Sequence, residues 1–498
     1  MNLFSSNPQE IDMPAASQQM RYWVDIAIEC VRVDHTPSLS SGDQTGPFFT
    51  ARALGMALGA LNDGYVLAKG SGTQLLMLGL TAPSGLEKNI TAAAACHQLL
   101  LHRYPKQTTS LNEAWDFWTS LFNISSLPMD HSETFGRQVG DAVHLLGIRD
   151  RQIGTAMNYS PGLAYRHGAP PSEPLQTFAG TEWGHANPLV STRVHGFAQP
   201  PGRTGALTVA PNAHFASDFQ KVQSKGASQP RARSREEEVI GIFWGYDGPP
   251  ELGTPPRLYM QVVLTVLDEI EVRNPGGLSE QEELLIVAST ALAMADAGID
   301  AWHYKYSDEH MMWRPALGIP NGLGTLVPPE TGWLPLGRPD TNRRGINLTP
   351  NFPAYPSGHA TFGAAAFQLL RLYLKHKQLA DFDPMNGKDN VSFCFVSDEY
   401  NGRNKDPRTD MPRSKLPINY PSLWDAIIDN SVSRVYLGVH WQFDGVTIKG
   451  TDPDGEFGIP HVPKDLGRRG GVWLGCQIAN QVAAKIGISQ TDIVASMV

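Results

Sequence analysis

The sequence predicts an all-α protein of two helical bundles, and three observations carry that reading. Apolar residues recur at three- and four-residue steps in segment after segment. Alternating apolar/polar runs of the β type are scarce. A stretch rich in Gly, Pro, Ser and His, 158–236, divides the periodic segments into two groups that meet near residue 230. Residues 1–230 are therefore expected to form an N-terminal bundle with a long loop or linker, and 231–498 a C-terminal bundle.

Taken in order, a polar opening gives way to helical periodicity from Met20 to Arg32. Thr45-Gly46-Pro47 then introduces a second helix over Ala51–Leu67, whose apolar residues recur at three- and four-residue steps. Further helices are expected at about 91–103, 111–123 and 133–147. Beyond the linker the pattern resumes over Glu236–Tyr246, Pro256–Glu271 and Glu280–Ala297. It continues through a 302–314 segment, His359–His376 and Leu423–Leu437. Loops rich in Pro and Gly (317–356) and in charge (398–420) separate the later elements.

With 498 residues, 41% of them hydrophobic and 18% charged, the chain can bury a large core. A net charge of −9 argues against nucleic acid, whose phosphates demand broad Lys and Arg coverage. Any anion site must be basic locally, against an acidic background. Cys30, Cys96, Cys394 and Cys476 are far apart and form no CxxC pair, so they read as buried free thiols. The N-terminus lacks a basic stretch followed by an apolar one, and no later stretch approaches ~18 uninterrupted apolar residues. The chain reads as soluble, with no membrane span, and as cytoplasmic or exported by a non-classical route.

Chemistry concentrates in three elements. In Pro356-Ser357-Gly358-His359, Ser357 stands where an N-cap would, ahead of an apolar helical face. The helix N-terminus offers unpaired N–H groups, Gly358 lets an anion approach the backbone, and His359 can move a proton. Alone, a capped helix with a satisfied histidine explains this tetrapeptide. The second element, Ser433-Arg434-x3-Gly438-x-His440-x3-Asp444, adds a guanidinium fork for two oxygens and an imidazole able to bind a metal or attack phosphorus. If helical geometry continues, Asp444 falls on the side of His440 and can orient its ring. The third runs from Trp302 and Lys305 to Trp313-Arg314-Pro315 and brings two more cations.

Together these elements resemble the vanadium-dependent haloperoxidases of the type 2 phosphatidic acid phosphatase superfamily, whose motifs are a Lys followed by Arg-Pro, then PSGH, then SR-x3-G-x-H-x3-D. The likeness to the fungal chloroperoxidase branch extends to Thr45–Met56, Trp244–Gly248 with Gly253–Arg257, Ala295–Gly298 and Phe352–Gly363, and thins across 66–236. The resemblance implies the vanadium haloperoxidase and acid phosphatase-like fold, with vanadate as cofactor and hydrogen peroxide, halide and an organic acceptor as partners. His440 would bind vanadium. Lys305, Arg314, Arg434, Ser357 and the Gly358 N–H would hydrogen-bond its oxygens, and His359 would be the acid–base group. Asp247 would pair with Arg434, and Lys305 would polarise the bound oxidant. Trp302 and Phe352 would wall the halide pocket. The product expected is hypohalous acid, from bromide and possibly from chloride, which halogenates organic substrates. Relatives of this architecture often form homo-oligomers, so self-association is expected.

One spacing departs from the family. Eight residues separate Lys305 from Arg314 where six or seven are usual. Nine steps along an ideal helix set the two side chains about half a turn apart, so the segment must contain a bulge or loop if both serve one anion. Phe352 follows the fungal branch, where algal bromide-oxidising relatives carry His. Two rival readings use the same residues: an acid phosphatase with His440 as nucleophile, inhibited by vanadate, and a non-catalytic phosphate- or vanadate-binding protein.

Overall fold

The computed structural model describes residues 19–122, 129–162, 164–205, 208–343 and 349–498. The polar N-terminal opening and residue 123 of the expected fourth helix lie outside them. Five helices, α1 (Gln19–Asp34), α2 (Pro47–Lys69), α3 (Lys88–Arg103), α4 (Thr108–Leu121) and α5 (Met129–Leu146), and the short α6 (Asp150–Thr155) make the first half. Pro47 starts α2, four residues ahead of the expected Ala51, and Gly70 ends it in the left-handed conformation.

The second half contains α7 (Ala213–Lys225), α8 (Arg235–Phe243), α9 (Pro255–Arg273), α10 (Glu280–Lys305), α11 (Pro315–Asn321) and α12 (Gly358–His376). It ends with α13 (Leu423–Tyr436), α14 (Gln442–Gly445), α15 (Gly471–Lys485) and α16 (Gln490–Ala495). Two antiparallel pairs, β1 (Arg203–Gly205) with β2 (Thr208–Val209) and β3 (Phe393–Val396) with β4 (Pro417–Tyr420), are the strands among the described residues.

The two halves share one core, because the α10 helix packs along α2 as well as α12. Ser279 and Glu282 cap the start of α10 reciprocally. This helix is long and apolar enough to cross a membrane, yet 94% of its apolar window is buried inside the fold. Tight contact with α12 comes from α15, where a Cβ on Gly475 would sit 2.3 Å from the Thr361 carbonyl oxygen.

Three expectations need correction. The 302–314 segment is not a helix of its own: Trp302 and Lys305 are the last turn of α10, and a turn leads to Arg314, which precedes α11. The 158–236 stretch is not a spacer but packs on α10, where Asp296 accepts the backbone N–H groups of Leu189, Val190 and Ser191. Its residues give a helix and a hairpin, with buried carboxylates on α10 replacing a regular ladder. Finally, Cys394 is exposed on β3, while Cys30, Cys96 and Cys476 are buried free thiols.

Candidate active site

The N-terminus of α12, the C-terminal end of α13 and the last turn of α10 converge beneath a cavity of about 320 Å³. Ser357 caps α12 through its hydroxyl, which accepts the Ala360 N–H, and its own N–H donates to the Asp444 carbonyl 2.7 Å away. Gly358 is therefore the first residue of the helix, where N–H groups lack intrahelical acceptors and the dipole favours an anion. Gly358, His359, Arg434 and His440 all line the cavity.

His440 lies past the end of α13, in a turn, so its relation to Asp444 is not that of a continuous helix. The contact exists for another reason. Asp444 sits in α14, one short turn, and its Oδ2 accepts both the Trp441 N–H and His440 Nδ1–H at 2.9 Å. The tautomer follows from the other side of the ring. Arg314 Nη1 is 3.2 Å from His440 Nε2, and since a guanidinium only donates, Nε2 must carry the lone pair. Burial first, then Arg314, Lys305 and other cations, pull His440 far below the ordinary histidine range, so the ring is neutral. Burial pushes the Asp444 carboxyl up, opposed by Lys305 and the Trp441 N–H; as acceptor of two hydrogen bonds it acts as the carboxylate.

Arg434 is fully buried and grips Asp247 with Nη2, 2.9 Å from each carboxylate oxygen. Its Nε and Nη1 are buried without any partner. Arg314, 2% exposed, donates Nε to the Phe352 carbonyl and Nη1 to the Val439 carbonyl, while its Nη2 is likewise unpartnered. Burial alone would raise Asp247, but Arg434 and then His359 outweigh it and hold it below the usual carboxylate range. Burial, aided by repulsion from Arg434, draws the Arg314 guanidinium down to about 9, so it is still charged at neutral pH.

Lys305 is completely buried and donates to the carbonyls of Pro353 (2.7 Å), Ala354 (3.2 Å) and Pro356 (2.5 Å). The loop between α10 and α11 resolves the spacing problem, since the nine steps from Lys305 to Arg314 do not follow a helix. The ammonium thus braces the strand leading into Ser357. To reach an anion it must exchange one of these carbonyls.

His359 donates Nε2–H to the Gly245 carbonyl at 2.8 Å, with Asp247 Oδ1 3.9 Å from the same nitrogen. Burial, and then Arg434, lower it to about 3. At neutral pH it is uncharged, and Nδ1 is the nitrogen left to accept a proton. The Trp302 and Phe352 rings meet at 4.7 Å on the cavity wall.

Sequence reasoning missed Arg338, which donates to the Asp247 backbone carbonyl and has a buried, unpartnered Nε. It also missed His35 and Arg343 on the cavity lining. Arg338 lies in a Pro- and Gly-rich loop with no periodicity or motif, so only its cationic type offered a signal.

Among the described residues, Asp247 and Asp444 are the carboxylates set against Lys305, Arg314 and Arg434, and buried cations without full compensation are costly: burial, then Arg314, draws Lys305 well below the ordinary lysine range, opposed by Asp444. Three unpartnered guanidinium nitrogens, a neutral imidazole lone pair and a helix N-terminus form a donor set suited to a tetrahedral oxyanion. Residues 285–449 match the vanadium chloroperoxidase (VCPO) second helical-bundle domain. Over 510 aligned residues the chain is 28% identical to vanadium chloroperoxidase of Curvularia inaequalis, covering 89% of this chain and 81% of that protein. The chain is similar in sequence to a vanadium haloperoxidase. Solved structures share the haloperoxidase fold. The first bacterial vanadium-dependent iodoperoxidase superposes with a TM-score of 0.65 at 18% identity, covering 94% of this chain and 96% of its own. A holo-type bacterial vanadium-dependent chloroperoxidase gives 0.61 at 14% identity, with 97% of each chain covered. Within the haloperoxidase fold, the residues of this chain that stand around the cavity carry the surplus donors described above.

Proposed function

We propose that this protein holds vanadate at His440 and oxidises halide with hydrogen peroxide, giving hypohalous acid that halogenates organic acceptors. The observation that carries the reading is the set of unpartnered buried nitrogens on Arg314 and Arg434 beside the Nε2 lone pair of His440. Vanadate and phosphate share that oxyanion shape, and the residues fit either. Trp302 and Phe352 favour halide chemistry, because meeting an apolar wall costs a weakly hydrated, large monovalent anion less than a strongly hydrated phosphoester.

When bound, vanadate supplies a Lewis-acidic centre that activates peroxide without a change of oxidation state. His440 Nε2 would hold the metal, with Asp444 fixing the tautomer through Nδ1. Arg314 Nη2, Arg434 Nε and Nη1, Ser357 and the Gly358 N–H would take the oxygens. Lys305, joined to three carbonyls, contributes its charge and would polarise the oxidant on releasing one of them. His359 takes a proton from hydrogen peroxide at Nδ1, its Nε2–H anchored on Gly245. Asp247 holds Arg434 in place and tempers the field on His359. The net reaction joins halide, peroxide and one proton to give hypohalous acid and water. Bromide, the more easily oxidised ion, is the substrate expected first. Phe352 in place of a polar side chain leaves chloride accessible to the same site.

The test loads apo-protein with orthovanadate and follows bromide- and peroxide-dependent bromination of phenol red, alongside hydrolysis of p-nitrophenyl phosphate without vanadate. Vanadate-dependent bromination is expected. Phosphoester turnover by the apo-protein with no bromination after loading would instead make His440 a phosphoryl nucleophile.

A further inference from the structure

A second cavity, of about 360 Å³, lies against the first and shares part of its lining, including Thr45, Asn351 and Phe352. Its walls are of a different kind. Phe48, Phe49, Phe178 and Met157 dominate, and no charged side chain lines it. Met157 stands at its rim, 65% exposed.

The enclosing segments are pinned to the active-site wall. Ala179 donates its N–H to the Asn351 carbonyl at 2.9 Å, and its own carbonyl accepts from Trp302 Nε1 and the Tyr306 hydroxyl. Gly180 adopts a left-handed φ of 70°, and a Cβ there would stand 2.6 Å from Trp302 Nε1, so the loop approaches the indole as closely as a backbone can. Thr181 fastens the opposite segment by donating to the Ala156 carbonyl and accepting the Asn158 N–H. The aromatic contacts are continuous: Phe49 meets Phe48 at 4.7 Å, Phe48 meets Trp302 at 5.1 Å, and Trp302 meets Phe352 at 4.7 Å. An apolar chamber with fixed walls that opens beside the halide wall is a built binding site, with Asn351 as a polar handle where the two chambers join.

We propose that this second chamber binds the organic acceptor, an electron-rich aromatic of phenol or indole size. It rests on the halide-oxidising reading of the neighbouring site. Hypohalous acid formed there transfers its halogen to a ring carbon held in the chamber. A carbon–halogen bond forms as the oxygen–halogen bond breaks, and the displaced ring proton leaves with hydroxide as water. Held in one orientation against the Phe48 and Phe49 rings, the acceptor is halogenated at a preferred carbon rather than at the positions free reagent selects.

The test measures binding of indole to the apo-protein by calorimetry, which needs no halide chemistry, together with the positional ratio of brominated indoles made by the loaded enzyme. Ala156→Trp fills the chamber from a half-buried position in its lining. Thr177→Trp does so from an exposed position, where folding is not at stake. Saturable one-site binding that weakens at least tenfold in either folded variant, with a product ratio that moves toward that of reagent hypobromous acid, supports the proposal. Absent or non-saturable binding, or equal binding by the variants, overturns it. Failure of bromide oxidation itself, measured without acceptor, would strike the halide reading and leave the binding result standing on its own.

Discussion

The two ends of α12 each hold a fully buried arginine, and they handle it in opposite ways. Near the C-terminal end, Arg371 is saturated: Nε bonds Asp389 at 2.6 Å, Nη1 bonds Gln368, and Nη2 reaches the Gly387 carbonyl at 2.6 Å. At the N-terminal end, Arg434 from α13 pairs one nitrogen with Asp247 and leaves two without partners, and Arg314 beside it leaves a third. Burial is the same, so burial does not mark the functional site. Unpartnered guanidinium nitrogens occur elsewhere too, as on Arg103, Arg203 and Arg257. The functional site is marked by such nitrogens from Arg314 and Arg434 gathering beside the His440 Nε2 lone pair, where one ligand could offset a cost of about 1–3 kcal/mol for each.

That contrast can be broken most sharply by removing each guanidinium. Arg371→Ala strands Asp389 and is expected to lower stability by about 3–5 kcal/mol while leaving oxyanion affinity, per folded molecule, within about twofold. Arg434→Ala also strands a carboxylate but relieves crowding with Arg314. Its stability loss is expected to be smaller, and its vanadate affinity to fall at least ~100-fold as two charge-assisted bonds disappear. Denaturant unfolding and calorimetric titration separate the two outcomes.

Completion of the site should appear as stability. At a vanadate concentration about 100 times its dissociation constant, the wild-type protein gains about 2.7 kcal/mol by mass action. Arg434→Ala, with affinity at least ~100-fold weaker, should gain no more than about 0.4 kcal/mol at the same concentration, and a normal gain there would erase the distinction between the two ends of α12. Asp444→Asn sharpens the account one shell out. An amide can present its NH₂ to His440 Nδ1 and so favour the wrong tautomer, and vanadate affinity is expected to drop about 10- to 100-fold, as for other residues that orient a ligating histidine.

The smallest effect is a pH dependence. In the unfolded chain His359 binds its proton near 6.5, whereas in the fold it does so only near 3. Its depressed value therefore contributes full stability above about pH 6.5, and that contribution is lost as pH falls toward 3. For His359→Gln this loss is absent, so the stability of the variant relative to wild type should improve by roughly 1.5 kcal/mol between pH 6.5 and 5. A difference independent of pH would mean that His359 is not held neutral by its surroundings.

Much of this was legible in the residues, and the parts that were not share a cause. Helical periodicity located α2, α9 and α12 to within a few residues because each buries a regular apolar face, and it found the start of α10 but ended that helix eight residues early, at Ala297. The contact between His440 and Asp444 was anticipated through the wrong geometry: α13 stops at Tyr436, and one short turn, not a continuing helix, brings the carboxylate back. The Lys305 to Arg314 spacing looked anomalous only on the assumption of a helix running on to Arg314, whereas α10 ends at Lys305. Loops held the remaining surprises. The packing of 158–236 onto α10 depends on Asp296 accepting backbone N–H groups more than a hundred residues away, which no local pattern encodes. Arg338 reaches the site from another such loop.

The central claim is that the unpartnered nitrogens around His440 are the cage of an oxyanion. A crystal structure of the protein soaked in orthovanadate tests it directly. The account predicts one vanadium bonded to His440 Nε2, with its oxygens on Arg314 Nη2 and on Arg434 Nε and Nη1. Vanadate bound elsewhere, or an anion in the cavity that leaves those three nitrogens unpaired, would contradict it.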